Sequence, residues 1–249
     1  MRVSRNTTVR ANWFAMTDKL VEGAEYHQRL AASWTAGYQS GGFGRRIRVM
    51  CSILEDRVRP GSRWLDAGCG TGIISRELCA LGANVIGVDA SPNMLAVAET
   101  ESQGEPKITY RLIDSIEDTG LEGCAFDGVL CSSVIEYIAA PEAAIGEFAR
   151  LLQHGGQLVL SVPNRYSLVR LGQKLCRAAA SPFGSELFSY LAVSEQEFSV
   201  ASVRHMIEEA GFELQEVIRF DPVLPQFMNH LGLGSLIVLS ARLETKSVT

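Results

Sequence analysis

The chain has 249 residues, 47% of them hydrophobic and 20% charged, which fits one α/β domain large enough to bury a sizeable core. A formal net charge of -5 supplies no global positive field to gather nucleic acid, so no nucleic-acid partner is expected. The 6 cysteines form no C-x-x-C pair and do not cluster with the 4 histidines, which indicates neither a zinc site nor a disulfide framework.

In chain order, the opening MRVSRNTTVRANWF lacks the apolar run of a secretion signal, and no later stretch approaches the ~18 apolar residues of a membrane span. A cytoplasmic protein is expected. Residues 1–60 carry Trp13, Phe14, Tyr26, Trp34, Tyr38, Phe43, Arg45, Arg46 and Arg48, and are expected to form helices capping a sheet edge. From Arg63 onward, short β-branched runs alternate with helix-like stretches, the pattern of a parallel sheet covered on both faces. Strands are predicted at Arg63–Ala67, Asn84–Asp89, Ile108–Ile113, Phe126–Ser132, Gln157–Pro163, Glu213–Phe220 and Ser235–Arg242. Ser91-Pro92 reads as an N-cap with proline at the first helical position, Pro141 starts another helix, and Gly211 ends one that begins near Ser199. The last two strands are joined by FDPVLPQFMNHLGLG, too short and too rich in proline and glycine for a crossover helix, so they should pair antiparallel.

The run Trp64-Leu65-Asp66-Ala67-Gly68-Cys69-Gly70-Thr71-Gly72 is a buried strand breaking into a glycine turn and then a helix. Glycines suit a backbone that must turn sharply and admit a ligand closely, with helix N–H groups pointing at it. A nicotinamide-dependent oxidoreductase would want G-x-G-x-x-G, but the third glycine here comes one place early and Ile73 occupies the position that needs glycine or alanine.

LDAGCGTG, GVDASPNML, the Asp114-Ser115 pair and FDGVLCSSVIEYI follow one another in an order and spacing that resemble the class I S-adenosylmethionine (SAM)-dependent methyltransferases, over about two thirds of the chain. FDGVLCSSVIEYI followed by LLQHGGQLVLSVPNRYS resembles the ubiquinone-biosynthesis O-methyltransferases and related small-molecule enzymes. The resemblance implies a three-layer α/β/α Rossmann-like fold with strand order 3-2-1-4-5-7-6 and the last strand antiparallel. One domain, 1–249, would divide into a helical N-terminal cap (1–60), a SAM-binding core (61–164), a lid insertion (165–198) and a C-terminal helix with the antiparallel strand pair (199–249).

The same resemblance implies roles for individual residues. Gly68 and Gly70 would let the methionine part of SAM lie on the turn, and Asp66 would orient its ammonium group. Asp89, with Ala90 beside it, would accept both ribose hydroxyl protons. Met94 would pack on the adenine or else fill the core. Asp114 would accept from the adenine amino group, with Ser115 and Ile116 alongside, and Cys131 would complete the set. Tyr38 would cover SAM and Arg46 would pair its carboxylate, unless both belong to a solvated basic turn.

On the acceptor side, loops after the fourth, fifth and sixth strands supply Ser132, Ser133, Glu136 and Tyr137, then Asn164, Arg165 and Tyr166, then Phe227, Met228 and His230. Relatives often read E-H where this chain reads Glu136-Tyr137, so their most obvious base is missing. The catalytic candidates are therefore His230, His27 and Tyr137. His154 falls at the wrong end of a strand, and His205 inside a helix is expected to be a surface or packing residue. Between Arg165 and Arg177, Arg170, Lys174 and Arg177 share a helical stripe beside Leu168, Leu171 and Leu175. The leucines are expected to roof an apolar pocket and the cations to face outward, as a lid or as a peripheral contact with anionic membrane through 165–178.

The expected activity is SAM-dependent methylation of a small-molecule acceptor, at a hydroxyl of an aromatic or polyketide-like compound. Alternatives are nitrogen or carbon methylation, a protein or RNA acceptor, and a non-catalytic SAM-binding protein.

Overall fold

The computed structural model describes residues 42–180, 196–222, 224 and 234–244. Seven strands form one sheet: β1 (Arg63–Ala67), β2 (Asn84–Asp89), β3 (Ile108–Leu112), β4 (Phe126–Ser132), β5 (Leu152–Pro163), β6 (Phe212–Phe220) and β7 (Leu236–Leu243), in the order β3-β2-β1-β4-β5-β7-β6. β1 to β5 run parallel, and β7 lies antiparallel between β5 and β6, as the short final connection requires. Six helices accompany them among the described residues: α1 (Gly42–Glu55), α2 (Ile73–Ala80), α3 (Pro92–Glu101), α4 (Pro141–Leu151), α5 (Leu168–Ala180) and α6 (Val200–Glu209).

Central strands are apolar on both faces, so neighbouring residues of one strand enter different cores. Leu65, Val129, Cys131, Leu158 and Leu160 pack under α4 and α6 with Ile145, Phe148, Val203 and Ile207. Trp64, Leu130 and Val159 face the other way, onto Met50, Ile53 and Leu54 of α1 and Leu78 of α2. The body of α1 is thus an outer layer on a sheet face, and only its first turn, with Arg45 and Arg46, reaches the edge where β4, β5 and β6 end.

The predicted caps form. Ser91 caps α3 by accepting from the Met94 N–H, with Pro92 next, and Ser199 and Ser202 make a capping box for α6. β5 starts earlier than expected. LQHGG is an irregularity in the β4–β5 ladder, with Gly155 at φ 79°, and His154 sits exposed at that amino end.

Parallel strands β1 to β5 end on one edge of the sheet, and β6, parallel to β5 through β7, ends there too. Every loop at that edge faces the same crevice, the place where open α/β sheets bind ligands. No helix among the described residues is long and apolar enough to cross a membrane.

Candidate active site

The turn after β1 is held by β2. Gly68 and Cys69 donate their N–H groups to the Val88 carbonyl at 2.8 and 2.9 Å, and Gly70 N–H donates to Asp89 Oδ2 at 2.8 Å. Asp89 Oδ1 accepts from Ser91 N–H at 2.9 Å, so one carboxylate staples the glycine turn to the start of α3. Gly68 and Gly70 take positive φ, 73° and 54°. A Cβ at Gly70 would meet nothing within 4 Å, which leaves the turn open beside the Asp89 carboxylate. A Cβ at Gly68 would instead collide with both methyl groups of Val134, in the loop after β4. The early third glycine also has a steric cause: side chains at Gly72 and Gly87 would both strike Tyr110, whose ring crosses from β3 beneath the turn and whose hydroxyl meets Ser102 Oγ at 2.9 Å.

Asp66 lies beneath the turn, 2% exposed, and accepts from Ser75 Oγ at 2.6 Å. Burial pushes its carboxyl up to about 7; the Ser75 hydroxyl opposes this and the Asp89 charge adds to it. Ala90 is exposed at the edge, whereas Met94 is buried. Cys131 is fully buried in β4, opposite Ala67 of β1, so its side chain belongs to the core and only its backbone borders the crevice.

The loop after β3 begins with Ile113 N–H on the Asp89 carbonyl at 3.1 Å. Asp114 is exposed there, Ser115 is half-buried, and Ile116 enters the core at 6% exposure. Two acids beyond the predicted set fix this loop. Glu117 accepts from Ala140 N–H at 3.0 Å, and Glu147 of α4 accepts from Thr119 N–H and Oγ at 3.0 and 2.6 Å. Hydrogen bonding from Arg150 holds the Glu147 carboxyl down at about 2 against its burial.

A second polar cluster occupies the ends of β4 and β5. Arg46 Nη2 donates to Ser132 Oγ at 2.9 Å and Ser161 Oγ at 3.3 Å, so Arg46 is a helical, half-buried residue and not part of a solvated turn. Ser133 has φ 53°, a strained value for a non-glycine residue at the head of the loop. Ile135–Tyr137 then form a 3-10 turn in which Glu136 is 4% exposed and Tyr137 half-buried. Burial raises the Glu136 carboxyl to about 7, while its own backbone N–H, the charges of Arg46 and Arg170, and the Ser133 hydroxyl pull against that rise. Glu136 Oε2 and Arg46 Nε are both buried with no hydrogen-bond partner.

Helix α5 departs from the sequence expectation at Arg170 and at its leucines. Arg170 is 7% exposed and donates to Glu197 at 2.8 Å, and Lys174 reaches the other oxygen of the same carboxylate at 2.6 Å. Leu168, Leu171 and Leu175 are 63%, 53% and 64% exposed, so they roof no pocket among the described residues. Arg170 turns inward while Lys174 stays half exposed, because Glu197, which pairs both, lies beyond the end of the helix and only the fold brings it in. Neighbouring Gln196 donates its backbone N–H to the Glu136 carbonyl at 3.2 Å and its side-chain amide to the Ile138 carbonyl at 3.1 Å. The side chain of Arg177 lies outside the described residues, as do His27, Tyr38, Phe227, Met228 and His230. His205 is exposed on α6, as a surface residue should be. Among the described residues, no group of three or more His, Cys, Asp or Glu is placed to hold a metal ion.

Comparison with known proteins agrees with this geometry. Residues 65–160 match the family model described as a methyltransferase domain. The ubiquinone biosynthesis O-methyltransferase of Xanthomonas axonopodis pv. citri is 39% identical over 120 residues, 47% of this chain and 50% of that protein, so the chain spans about half the length of the curated relatives it matches. Among solved structures, the magnesium protoporphyrin IX methyltransferase of Synechocystis PCC 6803 with bound SAH (S-adenosylhomocysteine) superposes with a TM-score of 0.67 at 20% identity, covering 91% of this chain and 100% of that one. Phosphoethanolamine N-methyltransferase 2 of Haemonchus contortus, in complex with SAM, gives 0.61 at 20% identity, covering 83% and 54%. These two have different acceptors, so their likeness shows the fold alone. Sheet order, glycine turn and family match together identify a methyltransferase domain of the class I SAM-dependent type built around residues 65–160, with similarity over part of the chain to the ubiquinone-biosynthesis O-methyltransferases.

Proposed function

We propose that the chain transfers a methyl group from SAM to a small-molecule hydroxyl, with an aromatic or polyketide-like acceptor. One observation carries the reading: the glycine turn stapled by Asp89 and the buried Arg46–Glu136 cluster lie side by side at one sheet edge, in contact through Gly68 and Val134. The residues of the turn fit the cofactor, because Gly70 is open beside a carboxylate at the end of β2. When bound, SAM supplies a methyl group on a positively charged sulfur, a good leaving group.

In this reading Gly68 and Gly70 seat the methionine part, Asp66 orients the ammonium group, Asp89 takes the ribose hydroxyls, and Asp114 with Ser115 and Ile116 meets the adenine. Ala90 and Met94 flank that path, the Cys131 backbone borders it, and Arg46 stands where a carboxylate would pair. The work left to the protein is positioning, which supplies on the order of 7–11 kcal/mol in well-oriented cases. The single-domain arrangement, with residues 1–60 as a cap and 165–198 as a lid over the acceptor, belongs to the same proposal.

Incubation with methyl-labelled SAM and a mixture of phenolic acceptors is expected to give methylated small molecules at the same rate in the presence of EDTA. Loss of activity in EDTA with recovery on adding magnesium would contradict metal-independent transfer. Label appearing only on protein or RNA would contradict the small-molecule reading, and labelled SAM bound without transfer to any acceptor would favour a non-catalytic SAM-binding protein.

Peripheral contact with anionic membrane takes a new form once α5 is oriented. The outward face is Leu168, Leu171 and Leu175 with Tyr166, bordered by Arg165 and Lys174, an arrangement suited to lying in a lipid interface. Sedimentation with anionic vesicles at low salt is expected for wild type and lost in Leu171→Glu/Leu175→Glu. A wild type that stays in the supernatant removes the membrane contact and leaves the methyltransferase reading intact.

A further inference from the structure

We propose that Glu136 is the catalytic residue that accepts the proton of the acceptor's hydroxyl group, an inference that rests on the methyl-transfer reading above. The histidine that relatives carry next to this position is Tyr137 here, so a proton acceptor must come from elsewhere. Glu136 Oε2 is a buried acceptor atom with no hydrogen-bond partner, in the 3-10 turn that follows the central strand β4. Leaving such an atom without a hydrogen bond is costly, and sites that tolerate it are commonly reserved for a ligand.

The carboxylate is also held in place. Its turn is closed by Tyr137 N–H on the Val134 carbonyl at 2.9 Å, and its own carbonyl is taken by Gln196. Its charged and titratable surroundings are Arg46 from α1, Arg170 from α5 with Glu197 paired behind it, and the Cys131 thiol from β4, with the Ser133 hydroxyl of its own loop beside them. Arg46 is pinned by Ser132 and Ser161, and among the described residues no ion pair joins it to Glu136. A hydroxyl that reaches Oε2 can therefore donate to it without displacing a protein hydrogen-bond donor from that atom. Val134, which opens the turn, rests on Gly68, so the acid is tied by one contact to the cofactor side of the crevice.

The step balances without any further reactant. The hydroxyl proton passes to Oε2, the freed oxygen lone pair forms the bond to the methyl carbon, and the methyl–sulfur bond breaks with its electrons remaining on sulfur. The product is a methyl ether, SAH and a protonated Glu136, which returns its proton to water when the site opens. Since only the ionised carboxylate can accept, turnover should rise with pH through the neutral range and then level off.

The test is methylation of ring-substituted phenols of graded acidity by wild type, Glu136→Gln and Glu136→Asp, with SAH affinity and thermal unfolding measured alongside. The expected result is SAH affinity within about twofold of wild type in both variants. In Glu136→Gln, kcat/KM for the least acidic phenols should fall by about 10²–10⁴-fold. The loss should shrink towards nothing as the phenol becomes acidic enough to ionise unaided, and the low-pH limb of the profile should vanish. Glu136→Asp, which keeps the carboxylate one methylene further back, should recover part of the rate and the limb; it carries the test if the glutamine variant does not fold. A loss equal across the series, or a pH limb that survives in Glu136→Gln, would overturn the proposal. So would a wild type that binds SAH yet methylates no phenol, whereas failure of wild type to bind SAH would overturn the reading beneath it.

Discussion

Asp89→Ala is expected to weaken SAH binding by at least ~1.5 kcal/mol, more than tenfold, because a charge-assisted pair to the ribose is lost. The structure adds a second source of loss. Asp89 holds Gly70 N–H and Ser91 N–H, so its removal also releases the glycine turn from the head of α3. Unfolding in urea separates the two contributions. Loss of the staple should lower stability by about 1–2 kcal/mol in the absence of ligand, and Asp89→Asn, which keeps one acceptor oxygen, should recover part of the stability but little of the affinity. Calorimetry showing wild-type affinity in Asp89→Ala would remove Asp89 from the site.

Gly68→Ala should be the more damaging change. Its φ of 73° is left-handed, which disfavours any side chain, and the added methyl would drive into both branches of Val134. Strain and overpacking together are expected to cost ~2–4 kcal/mol of stability. The clash is placed to do functional harm as well, since Val134 opens the turn that carries Glu136. Methyl transfer should therefore fall further than SAH affinity. Val134→Ala removes the two colliding methyl groups, so the double variant should regain at least ~1 kcal/mol relative to the sum of the single changes. Strict additivity would mean that the two halves of the crevice are not coupled through this contact.

Much of this architecture is visible in the chain because its signals are local. Ser91-Pro92, Pro141 and Gly211 mark helix ends by their own backbone chemistry, and the apolar runs at Arg63–Ala67 and Phe126–Ser132 mark strands buried on both faces. The strand order was legible through a family resemblance concentrated in four motifs. What escaped depends on residues far apart in sequence. Nothing near Arg170 announces Glu197, so the local pattern puts Arg170 in water where the fold buries it. Nothing in the glycine turn announces Tyr110, which crosses from β3 and explains both Gly72 and Gly87. Glu136 was visible as a loop acid, but its burial and unpartnered oxygen arise only when α1, α5 and the strand ends converge on it. Residue type alone points to His230, His27 and Tyr137 as bases, a histidine having an ordinary pKa near neutral, and burial gives a carboxyl the same range.

The central claim is that the crevice at the ends of β1, β2 and β4 is a SAM site. Calorimetric titration of the chain with SAH, repeated with NADH, tests it without knowledge of the acceptor. One SAH per chain is expected, bound in the micromolar range and displaced by SAM, with no heat from NADH. Absence of SAH binding at near-millimolar ligand, or saturable binding of NADH in its place, would contradict it.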